Sequence, residues 1–171
     1  MSIQDIGAVG EFLGLFAILI TLFYLAKQTR QSVELSRGKE TRALVDTFNE
    51  HVRRMTEPEN LRATRKALVS YRAIDSDLQA RAYVILTQWV NFYEQCSFAF
   101  DAGLLPSASL AAIENYTIGF LITAGGAEYW EDFRNTFGAD VSRRLDRILS
   151  GSAPLPEPIT STYPWLLLAE G

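Results

Sequence analysis

Asp75-Ser-Asp-Leu-Gln-Ala-Arg-Ala-Tyr-Val-Ile-Leu-Thr-Gln-Trp-Val-Asn-Phe-Tyr-Glu-Gln-Cys-Ser-Phe-Ala-Phe-Asp-Ala-Gly103 is the stretch whose reading decides the fold. Leu78, Ala82, Ile85, Leu86, Trp89, Phe92, Tyr93, Cys96 and Phe100 recur in steps of three and four, the spacing that lines one face of a helix. Asp75 and Ser76 are capping residue types at its start, Gly103 suits the left-handed residue that closes a helix, and Pro106 forbids continuation. Gln88, Asn91, Glu94 and Gln95 interrupt the apolar character, which argues against a bilayer span here. This is the predicted core helix, and its one cysteine, Cys96, reads as a small buried core residue.

Working outward, the same period continues on both sides. Downstream, a helix is expected over Leu110 to Thr123, ended by Gly125-Gly126. A short segment over 128–137 follows, whose Tyr129-Trp130, Phe133 and Phe137 form either a packing stripe or a docking surface, and a last helix over about 140–149 shows Val141, Leu145, Ile148 and Leu149 on one side. Upstream, Thr56-Glu-Pro58 makes a helix start for residues 58–73, since proline is tolerated in a first turn. Before it, Leu44, Phe48, Val52 and Met55 form an apolar stripe, and no proline interrupts residues 27–57. No strand-like alternation and no internal repeat is present, so the chain is predicted to be all-α. From Ser150 onward Pro154, Pro156, Pro158 and Pro164 impose an extended path. That tail ends in Trp165, Leu166, Leu167 and Leu168, which are expected to dock on an apolar surface: the chain's own domain, a partner or a membrane interface.

At the N-terminus, Ile6-Gly-Ala-Val-Gly-Glu-Phe-Leu-Gly-Leu-Phe-Ala-Ile-Leu-Ile-Thr-Leu-Phe-Tyr-Leu-Ala26 carries one charge, Glu11. As a helix its 21 residues rise roughly 31 Å, close to the thickness of a hydrocarbon core. No basic residue precedes it and no small-x-small cleavage site follows, so the expectation is an uncleaved single-pass anchor that continues into a cytoplasmic helical bundle. Lys27, Arg30, Arg37 and Lys39 follow the run, which by the positive-inside rule places the N-terminus in the periplasm and the remainder in the cytoplasm of a bacterial inner membrane. Gly7, Gly10, Gly14, Ala17 and Thr21 share a face edged by Glu11. That face either docks on a second transmembrane helix, from a homo-oligomer or a larger membrane complex, or leaves Glu11 reaching for the headgroups or protonated. The expected division is an anchor over 1–27, a helical stalk over 28–57, a helical domain over 58–150 and a Pro-rich tail over 151–171.

Composition narrows the chemistry. Residues 27–72 hold eleven Lys/Arg against six Asp/Glu, whereas residues 73–171 hold five against twelve, for a net charge of −4 overall. An acidic chain whose basic band alternates with carboxylates is a poor nucleic-acid binder. A single cysteine and a single histidine exclude an intrachain disulfide and a histidine- or cysteine-based metal cluster. His51 reads as a surface residue of the stalk. Gly125-Gly126 lacks the Lys-Ser/Thr of a phosphate loop, and no nucleophile elbow is present. Glu94 and Asp101 fit helix-end polar residues or ion-pair partners better than an acid/base pair. No catalytic residue, cofactor site or metal site is therefore expected.

Gln4-Asp-Ile-Gly-Ala-Val-Gly-Glu-Phe12, the single apolar run, and the Lys-Gln-Thr-Arg-Gln after it resemble a widespread group of uncharacterised bacterial membrane-anchored helical proteins. So do Asp46-Thr-Phe-Asn-Glu50, Phe92-Tyr-Glu94 leading to Gly103-Leu-Leu105, and Tyr129-Trp130 followed by Phe133-Arg134. The resemblance implies architecture and a bacterial source, and no mechanism. Two functions fit these expectations. One is a non-enzymatic, membrane-tethered interaction protein, an accessory or scaffolding subunit of a larger inner-membrane assembly with lipid and another transmembrane helix as partners. The other is a membrane-bound sensor whose helical domain binds a ligand against the Trp89–Phe100 face.

Overall fold

The computed structural model describes the backbone of residues 3–152 and 154–166, and the side chains of residues 21–151 and 154–166. Every regular element among them is helical, as the periodicity predicts: α1 (Ile3–Met55), α2 (Pro58–Val69), α3 (Ser76–Asp101), α4 (Ser107–Leu121), α5 (Ala124–Phe133), α6 (Ala139–Arg147) and the single turn α7 (Ile159–Thr162). Short 3-10 turns occupy Arg134–Thr136 and Pro164–Leu166. The chain forms two compact units, Met1–Glu40 and Thr41–Gly171.

In the first unit the described side chains begin at Thr21, and Leu22, Phe23, Tyr24 and Leu25 are exposed, as are Thr21, Lys27, Arg30, Arg37 and Lys39. The expected membrane span is corrected here. Among the described residues no helix is long and apolar enough to cross a membrane. Residues 6–20 of the expected span lie outside the residues whose side chains are described; of the remainder, Leu22 to Ala26 is followed by the polar residues Lys27, Gln28 and Arg30. Gly7, Gly10, Glu11, Gly14 and Ala17 lie outside the residues whose side chains are described. The single-pass topology, its periplasmic N-terminus and cytoplasmic domain, lipid and a second transmembrane helix as partners, and both membrane-based functions accordingly have no span to rest on among the described residues.

The second unit is a bundle built around α3. Asp75 caps that helix by accepting from the Leu78 amide at 3.0 Å. Gly103 ends it at φ 71°, a conformation only glycine adopts without strain, while the Leu104 amide bonds back to the Ala99 carbonyl. The sequence suggests one apolar face, but Ala82, Ile85, Leu86, Trp89, Val90, Phe92, Tyr93, Cys96 and Ala99 are all buried, because α2 and α4 both pack on the helix. From α1, Leu44 and Met55 enter the core with Phe48 and Val52 beside them. Phe48 meets Trp89 edge-on at 5.5 Å, and Trp89 stacks on Phe120 at 5.8 Å.

Gly125-Gly126 does not end α4. The pair forms the first turn of α5, capped by Thr123, whose hydroxyl accepts from the Gly126 amide at 3.0 Å. A β-carbon at Gly125 would overlap the Ala67 carbonyl of α2, and one at Gly126 would overlap the Phe120 carbonyl of α4. These glycines let backbones touch where three helices converge. Arg72 and the Ser70 hydroxyl reinforce the α2–α5 junction. The Arg72 amide bonds Glu128 at 2.9 Å and its guanidinium pairs with Glu131 and Asp132.

The Pro-rich segment runs extended over 154–158 and then returns to the bundle. Ile159 and Leu166 are buried, α7 lies against α4, and the final 3-10 turn lies against α2. At Gly119 of α4 a β-carbon would sit 3.3 Å from the Ile159 nitrogen, so the small residue opens the seat for this segment.

Candidate functional site

α6 is the most sharply two-faced helix of the bundle. Val141 and Leu145 are buried, and Arg143, Arg144 and Arg147 project from the other side. Arg144 and Arg147 fall in its last turn, where the partial negative charge of the helix end favours cations. With Glu114 of α4, Asp140 and Ile148, the arginines line an open cleft of about 630 Å³.

The three guanidinium groups are held very differently. Arg144 donates Nε to Glu114 Oε2 at 2.7 Å, its NH2 nitrogen lies 2.7 Å from the same oxygen, and its guanidinium carbon stands 5.8 Å over the Tyr93 ring. The Tyr93 hydroxyl donates to that oxygen too, at 2.7 Å. Burial, reinforced by this hydrogen bond to a carboxylate, pushes the Tyr93 phenol far above its ordinary range, so it stays protonated and a donor. The result is a fixed floor: a fully buried tyrosine holds a carboxylate, which holds an arginine. Among the described residues Arg143 is tied only to Asp140, an i,i+3 pair whose two side chains are largely exposed, an arrangement that contributes little. The Arg147 side chain makes no hydrogen bond or ion pair with any described residue.

Two other clefts lack this imbalance. One of about 510 Å³ includes Arg53, Arg54 and Arg81, but Arg53 and Arg54 share Glu50 and Arg81 pairs with Glu59. A smaller one of about 280 Å³ mixes Arg62 and Arg81 with Glu59, Asp75 and Asp77. None of the three is lined by Trp89, Phe92, Tyr93 or Cys96, and that face is filled by Phe48, Tyr116 and Phe120.

The residues singled out in the sequence scatter. Trp165 is half-buried with its ring 5.9 Å from Tyr163, Leu166 is fully buried, and Leu167 and Leu168 lie outside the described residues. Glu94 sits against Gly138, and Asp101 is exposed at the end of α3. Tyr129 and Trp130 are buried, with the Trp130 indole donating to Asp146 at 2.7 Å. His51 is not a surface residue. It lies half-buried, edge-on to Trp89 at 5.5 Å and Phe92 at 5.4 Å. The α6 arginines went unread in the sequence, though a signal was present: three of the five basic residues in 73–171 fall at 143, 144 and 147, spaced to share a helix face.

Compared with known proteins, the chain matches no family model, no curated protein and no solved structure. The resemblance to a membrane-anchored bacterial group is therefore corrected. Phe92-Tyr93 and Tyr129-Trp130, which carried part of it, are buried core residues of the kind any helical bundle of this size needs.

Proposed function

We propose that this chain is a non-enzymatic recognition module that binds a polyvalent anion, a ligand bearing phosphate or clustered carboxylate groups, in the α6 cleft. The observation that carries the reading is the unequal pairing of the three arginines. Arg144 is preset by Glu114 and Tyr93, Arg143 has only an exposed partner, and Arg147 has none among the described residues. An anion entering the cleft would meet a positioned guanidinium and two others able to close on it in bidentate fashion. The arrangement favours binding over turnover. The carboxylate at its floor already accepts from both Tyr93 and Arg144, and the Tyr93 phenol is held protonated, so neither is available as a general base.

Calorimetric titration of the full chain with inorganic pyrophosphate at low salt is the test. Saturable binding is expected, weakened by added salt. Arg147→Ala should lower affinity about tenfold or more, the usual worth of a charge-assisted hydrogen bond. Arg81→Ala, in another cleft, should leave it unchanged. Absence of saturable heat, or equal loss in both variants, would overturn the assignment.

A further inference from the structure

His51 is the only histidine of the chain and sits within the stripe by which α1 packs on α3. Its neighbours on that stripe, Leu44, Phe48, Val52 and Met55, are all apolar and packed in the core. The imidazole is edge-on to Trp89 and Phe92, and its Nδ1 is buried without a hydrogen-bond partner among the described residues, as is the indole nitrogen of Trp89 next to it. A neutral ring occupies such a site at the lower cost, since it leaves one uncharged acceptor unpaired. A protonated ring carries N–H on both nitrogens and brings a charge into the aromatic setting.

From these contacts we infer that His51 is an acid-sensitive release element: adding a proton to it loosens residues 44–55 of α1 from α3. The groups that face it are few. On its own helix Arg54 opposes protonation and Glu50 favours it. Glu50 is already bonded to Arg53 and Arg54 at 2.7–2.8 Å. From α3 come the uncharged rings of Trp89 and Phe92, and Tyr116 of α4 lies behind Trp89. Burial, chiefly, holds the imidazole below its ordinary value of 6.5. The undocked helix therefore takes up the proton first. Docking is at full strength above about pH 6.5 and weakens as pH falls below it, towards the docked-state value. Glu50, whose carboxyl is held down at about 2 by Arg53 and Arg54, stays ionised throughout this window.

Amide hydrogen exchange on the full chain at pH 7.5 and 5.0, expressed as protection factors, tests the assignment. On acidification, amides of residues 44–55 should lose protection about fivefold or more, the worth of one buried unsatisfied donor. Those of α4 and α5 should not change. His51→Phe, which keeps an aromatic ring and cannot titrate, should abolish the loss, and His51→Gln serves the same comparison if the phenylalanine variant does not fold. An equal loss in the non-titrating variant overturns the proposal, and so does no loss in the wild type. A His51 ring that titrates by NMR at or above 6.5 does so as well.

Discussion

Replacing Gly125 with alanine sets two known effects against each other at one site. In a helix interior the change is favourable by about 1 kcal/mol, because alanine loses less backbone freedom on folding. Here the added carbon would overlap the Ala67 carbonyl and crowd the Ala67 carbonyl carbon at 2.8 Å and the Tyr71 amide at 2.9 Å. All three are backbone atoms of α2 or its C-terminal turn, so none can rotate away, and α2 and α5 must separate. Overpacking of this kind typically costs about 1–3 kcal/mol or more. With the obstruction entirely backbone the upper end applies, and a net loss of about 2 kcal/mol remains after the propensity gain. For a chain of this length that lowers Tm by roughly 4–8 °C. Gly138→Ala is the control: its β-carbon would meet only the Glu94 carboxylate, the far end of a flexible side chain, so the change should stay within about 0.5 kcal/mol. Gly38→Ala, with nothing within 4 Å, should raise local helix protection by up to about 1 kcal/mol. Urea unfolding followed at 222 nm ranks the first two, and amide exchange reads the third. If Gly125→Ala costs no more than Gly138→Ala, the claim that the glycine pair exists for backbone contact is wrong.

Other outcomes follow from the same geometry. Leu166→Ala removes one of the two buried anchors of the C-terminal segment, a change that costs about 2–5 kcal/mol in a closed core. Because this segment can undock, the loss should appear as faster proteolysis between residues 150 and 158 with α3 protection intact; unchanged cleavage would refute the anchoring role. Glu50 is held down at about 2 by Arg53 and Arg54, so its contribution is present above about pH 4.5 and disappears as pH falls through about 2. Glu50→Gln should flatten that part of the acid unfolding curve, and an unchanged curve would show that the pair contributes nothing.

The C-terminal segment and the glycine pair show how local signals and tertiary context divide the work. Four prolines foretell an extended path, since they fix φ and remove donors whatever surrounds them. Where that path lies depends on Gly119 leaving room for Ile159 and on Leu166 finding a seat against α2, and neither is a property of the segment itself. Gly125-Gly126 reads locally as a helix end because glycine is a poor helix former. Its position in the first turn of α5 becomes intelligible only beside the Ala67 and Phe120 carbonyls. The N-terminal run shows the opposite risk. Its apolar content suggested a span, yet among the described residues no helix is long and apolar enough to cross a membrane, and residues 6–20 lie outside those whose side chains are described.

The sequence by itself determined that the chain is helical, where α3 begins and ends, and which residues of α1, α3 and α6 form their main apolar stripes. Side-chain periodicity, capping and proline act over a few residues and survive any arrangement of the rest. Only the tertiary structure decided that α3 is buried on more than one face, that His51 lies among aromatic rings, and that Glu114 joins Tyr93 and Arg144 from three different helices. Burial and ion pairing between distant residues depend on how helices cross, and no short-range pattern encodes the crossing.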